Sequence, residues 1–242
     1  MAKANETWTV LPHGPIETLE SNLWRVEGSL GTMPIKRVMV VAARNSGDLI
    51  IYNPIALDDE NMTALDKLGN GNVTDVIVPN GWHRLDAKLF ASRYPKARVL
   101  AAKGALAKVR EVVPSAIALE DWAGLGDSSI TVDAVPGTRD FEAEMIVRSA
   151  SGHTSLVVAD AIFNMPHQPG VKGFVLKRLL KSSGGPRVSR IARMMLIKDK
   201  PAFAAYLDKM ATPDLTRVIV GHHEMIADKP ADTLRELAES LR

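Results

Sequence analysis

Apolar residues in the first third of the chain follow strand spacing and then helical spacing. Two apolar runs flank the turn cluster Asn45-Ser46-Gly47-Asp48, which predicts a β-hairpin over residues 37–54. Residues 59–68 show the spacing of an amphipathic helix that Asp58 or Asp59 can cap. The same reasoning predicts strands over residues 73–79, 98–101, 129–135, 142–149, 155–161 and 217–220, and helices near 85–95, 103–112, 172–182, 187–197, 200–210 and from Ala231 onward. Such interleaving predicts an α/β fold with mixed sheets.

Composition narrows the class of protein. Of the 242 residues, 46% are hydrophobic and 24% are charged, which is typical of a globular chain. No apolar run approaches the roughly 18–20 residues of a bilayer span. The N-terminus has no signal-peptide core, so we expect a cytoplasmic protein with no integral membrane association. The absence of cysteine leaves His and carboxylates as metal ligands, and a net charge of +2 gives no reason to expect a nucleic-acid partner.

One basic segment stands apart from the rest of the chain. Between Val171 and Pro201 there are nine Lys or Arg and one acid, Asp199. A pair of solvated helices with Phe174, Leu176, Leu179 and Leu180 packed inward accounts for this pattern. An anionic ligand or a membrane surface is the alternative.

Four loops that follow predicted strands carry polar side chains. They begin at Asn80, Pro136, Asp160 and Gly221. Ligand sites in α/β folds form beyond the carboxyl ends of strands, so these loops are candidates for one site. Three of them carry His or Asp, which bind zinc, manganese or iron.

The order and spacing of these loops resemble the metallo-β-lactamase-like superfamily of metallohydrolases and oxidoreductases. That family builds a two-metal site from a His-x-His-x-Asp-His loop, a His after Pro-Gly, an Asp that ends a strand and a final Gly-His. Here residues 80–86, Val135-Pro136-Gly137-Thr138, Val157-Val158-Ala159-Asp160 and Val218-Ile219-Val220-Gly221-His222 occupy the corresponding places. The resemblance covers roughly residues 6–225. It implies one domain over residues 1–242, a four-layer αββα sandwich of two mixed sheets flanked by helices, with a basic helical insertion at about 171–200.

The chain departs from the family pattern at several ligand positions. Only His83, Asp160 and His222 keep the expected residue type, and Asp86 stands where the last His of the first motif belongs. The other departures are Gly81 for the first His, Leu85 for the Asp, Thr138 for the His after Pro-Gly and Asn53-Pro54 for the hairpin Asp. The pattern is similar to an uncharacterised branch of the superfamily with an eroded ligand motif. The two-metal site is therefore expected to be lost.

The resemblance assigns roles to the remaining polar residues. Asp86, Asp160 and His222 are candidate ligands of one divalent ion (Mn, Fe or Zn), and His83 is a candidate catalytic proton shuttle. Asn80, Thr138, Arg139 and Asn164 are candidate substrate-binding residues. Arg139 is also expected to fill the vacated metal space by pairing with Asp160 and Asp86.

Besides binding of a membrane surface or an anion by residues 172–200, two functions of different classes remain open at this point. The first is a non-catalytic or divergent member that binds a small molecule in the residual pocket without a cofactor. The second is a mononuclear metal-dependent hydrolase of esters, amides or phosphoesters. The sequence identifies no substrate, and Phe203, Tyr206 and Leu207 fit either a core or a homodimer interface.

Overall fold

The computed structural model of the chain describes residues 4–31, 33–122 and 126–242. Within these ranges the strands are β1 Glu17–Glu20, β2 Leu23–Leu30, β3 Met33–Ala43, β4 Leu49–Tyr52, β5 Val73–Ile77, β6 Arg98–Ala101, β7 Ile117–Ala118, β8 Ile130–Ala134, β9 Ala143–Arg148, β10 Thr154–Val157, β11 Phe163–Met165, β12 Gly185–Arg187 and β13 Leu215–Ile219. The α-helices are α1 Asp59–Leu65, α2 Ala87–Arg93, α3 Lys103–Arg110, α4 Gly170–Phe174, α5 Lys200–Met210 and α6 Pro230–Glu239. A 3-10 turn covers Leu119–Asp121, and π-helical turns cover Val175–Leu179 and Ala192–Leu196.

The strands form two mixed sheets and one small ribbon. The first sheet has the order β1-β2-β3-β4-β5-β6-β7, antiparallel from β1 to β4 and parallel from β4 to β7. The second has the order β13-β10-β9-β8, in which β10 and β13 are parallel and the other pairs are antiparallel. Strands β11 and β12 pair as a separate antiparallel ribbon. The protein is therefore a mixed α/β fold, as the sequence predicts.

Side chains alternate between two buried faces along the central strands. In β3, Val40 packs among residues of both sheets, while the next residue, Val41, packs on the opposite face with Phe90 of α2. In the second sheet, Leu156 of β10 packs with Phe203 of α5 on the face away from the first sheet. Strands that are buried on both faces consist of nearly continuous apolar residues, and this is why they can be predicted from the sequence.

The local predictions are confirmed where the apolar signal is strong. Strands β3 and β4 form the hairpin over residues 37–54. Helix α1 begins after Asp58, whose carboxylate accepts the Asn61 backbone N–H at 2.8 Å. Strands β1 and β2 are not among the predicted strands, although β2 alternates between buried and half-buried residues from Trp24 to Ser29, which is the pattern of a strand with one buried face.

The basic segment differs from its expected packing. Leu176 is buried and Leu180 half-buried, but Phe174 and Leu179 are 60% and 55% exposed, so the prediction that they pack inward is wrong. The reason is that this segment forms two short helical stretches, each of which turns one face only toward the core. Lys172 belongs to the segment, but its side chain lies outside the described part of the structure.

No helix within the described ranges is long and apolar enough to cross a bilayer.

Candidate metal centre

Three of the sequence-predicted residues meet where strands of the two sheets end. His83 follows β5, Asp160 follows β10 and His222 follows β13. The Nε2 atom of His83 lies 3.1 Å from Asp160 Oδ2, and the Nε2 atom of His222 lies 3.0 Å from Asp160 Oδ1. One ligand atom from each of the three residues lies within 4.8 Å of the others. The cluster is largely shielded from solvent, with side-chain exposures of 7%, 9% and 10%.

The outer nitrogen of each imidazole is held by an oxygen acceptor. Nδ1 of His83 lies 3.0 Å from the side-chain oxygen of Asn53, whose amide nitrogen donates to the Val38 carbonyl. Nδ1 of His222 lies 2.8 Å from the Lys36 carbonyl oxygen. Because these oxygens only accept, both Nδ1 atoms must carry the hydrogen. Each Nε2 therefore faces Asp160 either as a second N–H donor or as a lone pair.

The charges of the cluster support one another in the protein without a metal. Although burial opposes ionisation, the two histidines hold the pKa of Asp160 well below its ordinary value. Burial also opposes protonation of His222, but the hydrogen bond and charge of Asp160 raise the pKa of His222. The adjacent His223 behaves differently, because burial and the charge of His222 lower its pKa to about 4. Its Nε2 accepts the Lys36 backbone N–H, so His222 is the histidine that faces the cluster, as the sequence predicts.

Asn80 positions the Asp160 carboxylate. Its side-chain amide donates to Asp160 Oδ2 at 2.9 Å and to Glu142 Oε2 at 3.1 Å, and its oxygen accepts the Trp82 backbone N–H. Asn80 is fully buried. The structure thus brings this candidate substrate-binding residue to the cluster as a buried partner of Asp160.

Glu142 is a member of the site to which the sequence analysis gives no role. Its carboxylate accepts the backbone N–H groups of Ala159, Asp160 and Ala161 at 2.8–3.0 Å, so it fixes the turn that carries Asp160. Burial and the Asp160 charge raise the pKa of Glu142 to about 7, against the effect of those backbone bonds. The available signal was an acid that directly precedes β9, a strand in which four of the six residues are apolar.

Two glycines explain the backbone geometry of the site. A Cβ atom on Gly221 would lie 2.9 Å from the Ala159 Cα atom, and the Gly221 N–H donates to the Ala159 carbonyl, so the two ligand loops touch at this point. A Cβ atom on Gly81 would lie 2.9 Å from the Lys108 Cβ atom. At the position where the family pattern has its first histidine, the space is therefore taken by the stem of Lys108.

Asp86 lies outside the three-residue cluster. Its carboxylate forms an ion pair with Arg37 Nη1 at 2.6 Å and accepts hydrogen bonds from the Asn5 side chain and the Ala56 backbone. Both partners of the ion pair are buried, with side-chain exposures of 4% for Arg37 and 0% for Asp86. The residue predicted as a metal ligand thus already has a full set of partners of its own.

Arg139 does not fill the space near Asp160, and that expectation is wrong. It lies on the surface with a positive φ of 54°, and in the described part of the chain it forms no ion pair. The reason is the turn that follows Gly137, which directs Arg139 toward an open cavity next to Lys198 and Asp199. Arg37, 49 positions from Asp86 in the chain, is the arginine that meets a buried carboxylate.

Thr138 and Asn164 have backbone partners in the structure. The Thr138 hydroxyl donates to the Val135 carbonyl at 2.7 Å and closes the turn after β8. The Asn164 amide donates to the Met225 carbonyl, and its strand β11 bridges to His223. Neither side chain belongs to the three-residue cluster.

A surface cavity lies next to two residues that contact or follow His222, but His83, Asp160 and His222 are not among its lining residues. It has a volume of about 530 Å³ and is lined in part by Lys36 and His223, the residues that hold and follow His222. Pro166, Gln168, His13 and Glu27 complete much of its wall. The cavity is large enough for a small molecule.

No protein-family model matches this chain, and comparison with the curated proteins found no significant match.

Proposed function

We propose that this protein is a divergent member of the metallo-β-lactamase-like superfamily that holds one divalent metal ion between His83, Asp160 and His222 and acts as a mononuclear hydrolase. The substrate class we propose is an ester, amide or phosphoester. Support for the superfamily comes from the order of the four loops and from the packing of helices on the outer faces of both sheets. In this proposal those layers form the four-layer αββα sandwich.

The observation that carries the proposal is the shared orientation of the two histidines. Both Nδ1 atoms donate to oxygen, and both Nε2 atoms point at one carboxylate. Histidine ligands are typically arranged in this way, because a second partner on the outer nitrogen fixes the ring and its tautomer. The two Nε2 atoms lie 3.1 and 3.0 Å from different oxygens of Asp160, and one ligand atom from each residue lies within 4.8 Å of the others, so the three side chains face a common space.

Two imidazoles and one carboxylate form a donor set that suits zinc, and also Fe(II). When bound, such an ion would lower the pKa of a coordinated water and polarise a carbonyl or phosphoryl group. Asn53 and the Lys36 carbonyl orient the imidazoles, and Asn80 orients Asp160. In this arrangement His83 is a ligand rather than the proton shuttle suggested by the sequence.

A second function is suggested by the hydrogen bonds within the cluster, which already give Asp160 three side-chain partners. In the metal-free protein His83, His222 and Asn80 already satisfy Asp160, so the cluster is also complete as a structural element. In that case the protein is a non-catalytic module that binds a small molecule in the 530 Å³ cavity beside His222.

Metal analysis of protein purified without chelator or polyhistidine tag separates the two functions. We expect about one equivalent of Zn, Fe or Mn in the native protein and none in Asp160→Asn, which keeps the shape of the side chain. His153→Gln is the matched control, because His153 is exposed and its Nδ1 contacts Glu20, which is not a residue of the cluster. It should retain the full equivalent.

A screen of chromogenic esters, amides and phosphoesters then tests the hydrolase. Hydrolysis should disappear in Asp160→Asn and after chelation, and should return when metal is added to the native protein. Failure to bind Zn, Fe or Mn after loading at neutral pH would refute the metal centre and favour the ligand-binding module.

A further inference from the structure

Large exposed apolar side chains are concentrated in one part of the chain. Among the described residues the large hydrophobic side chains that are exposed are Val10, Val171, Phe174, Leu179, Ile191, Met194 and Met195. All of these except Val10 lie within residues 171–195, which we call the 171–195 surface. Val171, Met194 and Phe174 are 82%, 69% and 60% exposed. A clustered set of this kind marks an interaction site more often than scattered apolar residues do.

The 171–195 surface is formed by two neighbouring segments that are anchored from below. The Arg190 backbone N–H donates to the Leu180 carbonyl at 2.9 Å, which joins the start of the second helical stretch to the end of the first. Beneath them Leu176 is 6% exposed and Leu196 is fully buried. The outward apolar side chains therefore belong to folded segments whose inner faces are already packed.

Positive charge surrounds these apolar side chains without local compensation. Lys177, Arg178, Lys181 and Arg190 are exposed. The one acid in the segment, Asp199, caps helix α5 by accepting the Ala202 backbone N–H. For the part of the chain that the structure describes, the ion pairs all lie outside residues 171–200.

We propose that the 171–195 surface docks the protein on an anionic lipid bilayer, with Phe174, Leu179 and Met194 entering the interface and the lysines and arginines contacting lipid headgroups. Short amphipathic segments bind membranes when apolar side chains supply buried area and cations supply attraction to anionic lipid. Each basic side chain near such a surface adds to the affinity. This proposal is independent of the metal centre.

The composition of the surface favours lipid over a protein partner. Cores of protein interfaces are enriched in aromatic anchors and depleted in lysine. The 171–195 surface has a single exposed aromatic, Phe174, and its flexible Met194 and Met195 lie in a segment where several of the described cations form hydrogen bonds and none of them forms an ion pair. Interleaved cations and flexible apolar side chains fit a fluid, negatively charged surface better than a rigid one.

Sedimentation of the full chain with vesicles tests the proposal. The probes are vesicles of phosphatidylcholine alone and of phosphatidylcholine with 30% phosphatidylserine, at low salt. We expect binding to the phosphatidylserine vesicles that is at least about 10-fold tighter than to phosphatidylcholine, and that weakens strongly when the salt is raised to roughly 0.5 M.

Two variants with matched controls assign the binding to this surface. Lys177→Gln/Arg178→Gln should weaken binding to anionic vesicles by about 30-fold, while Lys67→Gln/Lys96→Gln, which removes two exposed charges elsewhere, should change it far less. Phe174→Ser should weaken binding by roughly 10-fold, and Val10→Ser should leave it close to the native value. All six substitutions in these four variants are at exposed positions, so unchanged thermal unfolding verifies that each variant is folded.

Three results would overturn the proposal. Equal binding to both vesicle types would show that attraction to anionic lipid does not contribute to binding. Unchanged binding in both the charge variant and the Phe174 variant would show that another surface contacts the bilayer. No vesicle binding, together with a dimer in sedimentation equilibrium that Phe174→Ser dissociates, would make this face an interface between two copies of the chain.

Discussion

Asp86, which directly precedes helix α2, and Asp160, which follows strand β10, are both buried carboxylates, yet their cationic partners differ in kind. Asp86 pairs with Arg37, whose guanidinium keeps its charge across the physiological range. Asp160 faces two imidazoles, which can give up their protons and present lone pairs instead. The first arrangement can only stabilise the fold, whereas the second can exchange protons for a metal ion. Burial of an acid is therefore not enough to mark a metal ligand; the chemistry of its partners decides.

Removal of Arg37 should have the largest effect on stability. Arg37→Met leaves Asp86 buried with two neutral donors, so we expect the free energy of unfolding to fall by about 3–5 kcal/mol in urea titrations. Arg235→Met is the control, because Arg235 and Asp232 form an exposed pair worth about 1 kcal/mol or less. Adding Asp86→Asn to Arg37→Met should recover part of the loss; a loss no larger than in the control would contradict the structural role of the pair.

The pH dependence of the unfolding free energy of the metal-free protein should distinguish the Asp160 cluster from the Asp86–Arg37 pair. The raised pKa of His222 gives stability that is complete below about pH 6.5 and is lost as the pH rises through the folded value. The lowered pKa of Asp160 gives stability that is present above about pH 3.8 and is lost as the pH falls through its folded value. Unfolding free energies in EDTA should therefore decline as the pH rises from 5 to 9, and the raised pKa of Glu142 contributes to that decline up to about pH 7.

His222→Gln should flatten the part of the decline that lies above about pH 7, because glutamine carries no titrating proton. Arg37→Met should shift the whole curve downward and keep its shape in this range. An alkaline decline that persists unchanged in His222→Gln would show that another group is responsible. Saturation of the native protein with metal should also oppose the decline, since metal and protons compete for the same imidazole nitrogen.

Arg139→Gln should have the smallest effect. Since Arg139 is exposed and lies outside the cluster, the free energy of unfolding should change by less than about 0.5 kcal/mol, and metal content should stay at the native value. Urea titration and metal analysis check both. Loss of metal in this variant would show that Arg139 does contribute to the site, as the sequence had predicted.

The position of the polar loops after predicted strands, together with the resemblance to the metallo-β-lactamase-like superfamily, identified much of the candidate site. His83, Asp160, His222 and Asn80 follow buried strands, and parallel strands bring their carboxyl ends to one edge, as in β4–β5 and in β10–β13. The groups that orient the histidines were not predicted, because they are distant from the histidines in the sequence. Asn53 meets His83 across 30 positions, and the carbonyl of Lys36 meets His222 across 186.

The sequence by itself determined the apolar strands, the cap of α1 and the order of the polar loops, because these depend on local periodicity and on side chains a few residues apart. The tertiary structure alone decided which acid meets which cation. Asp86, a predicted metal ligand, forms an ion pair with Arg37. Residues 171–195 have several apolar side chains exposed at the surface. Charge pairing and exposure depend on how distant segments pack, and a one-dimensional pattern carries no record of that packing.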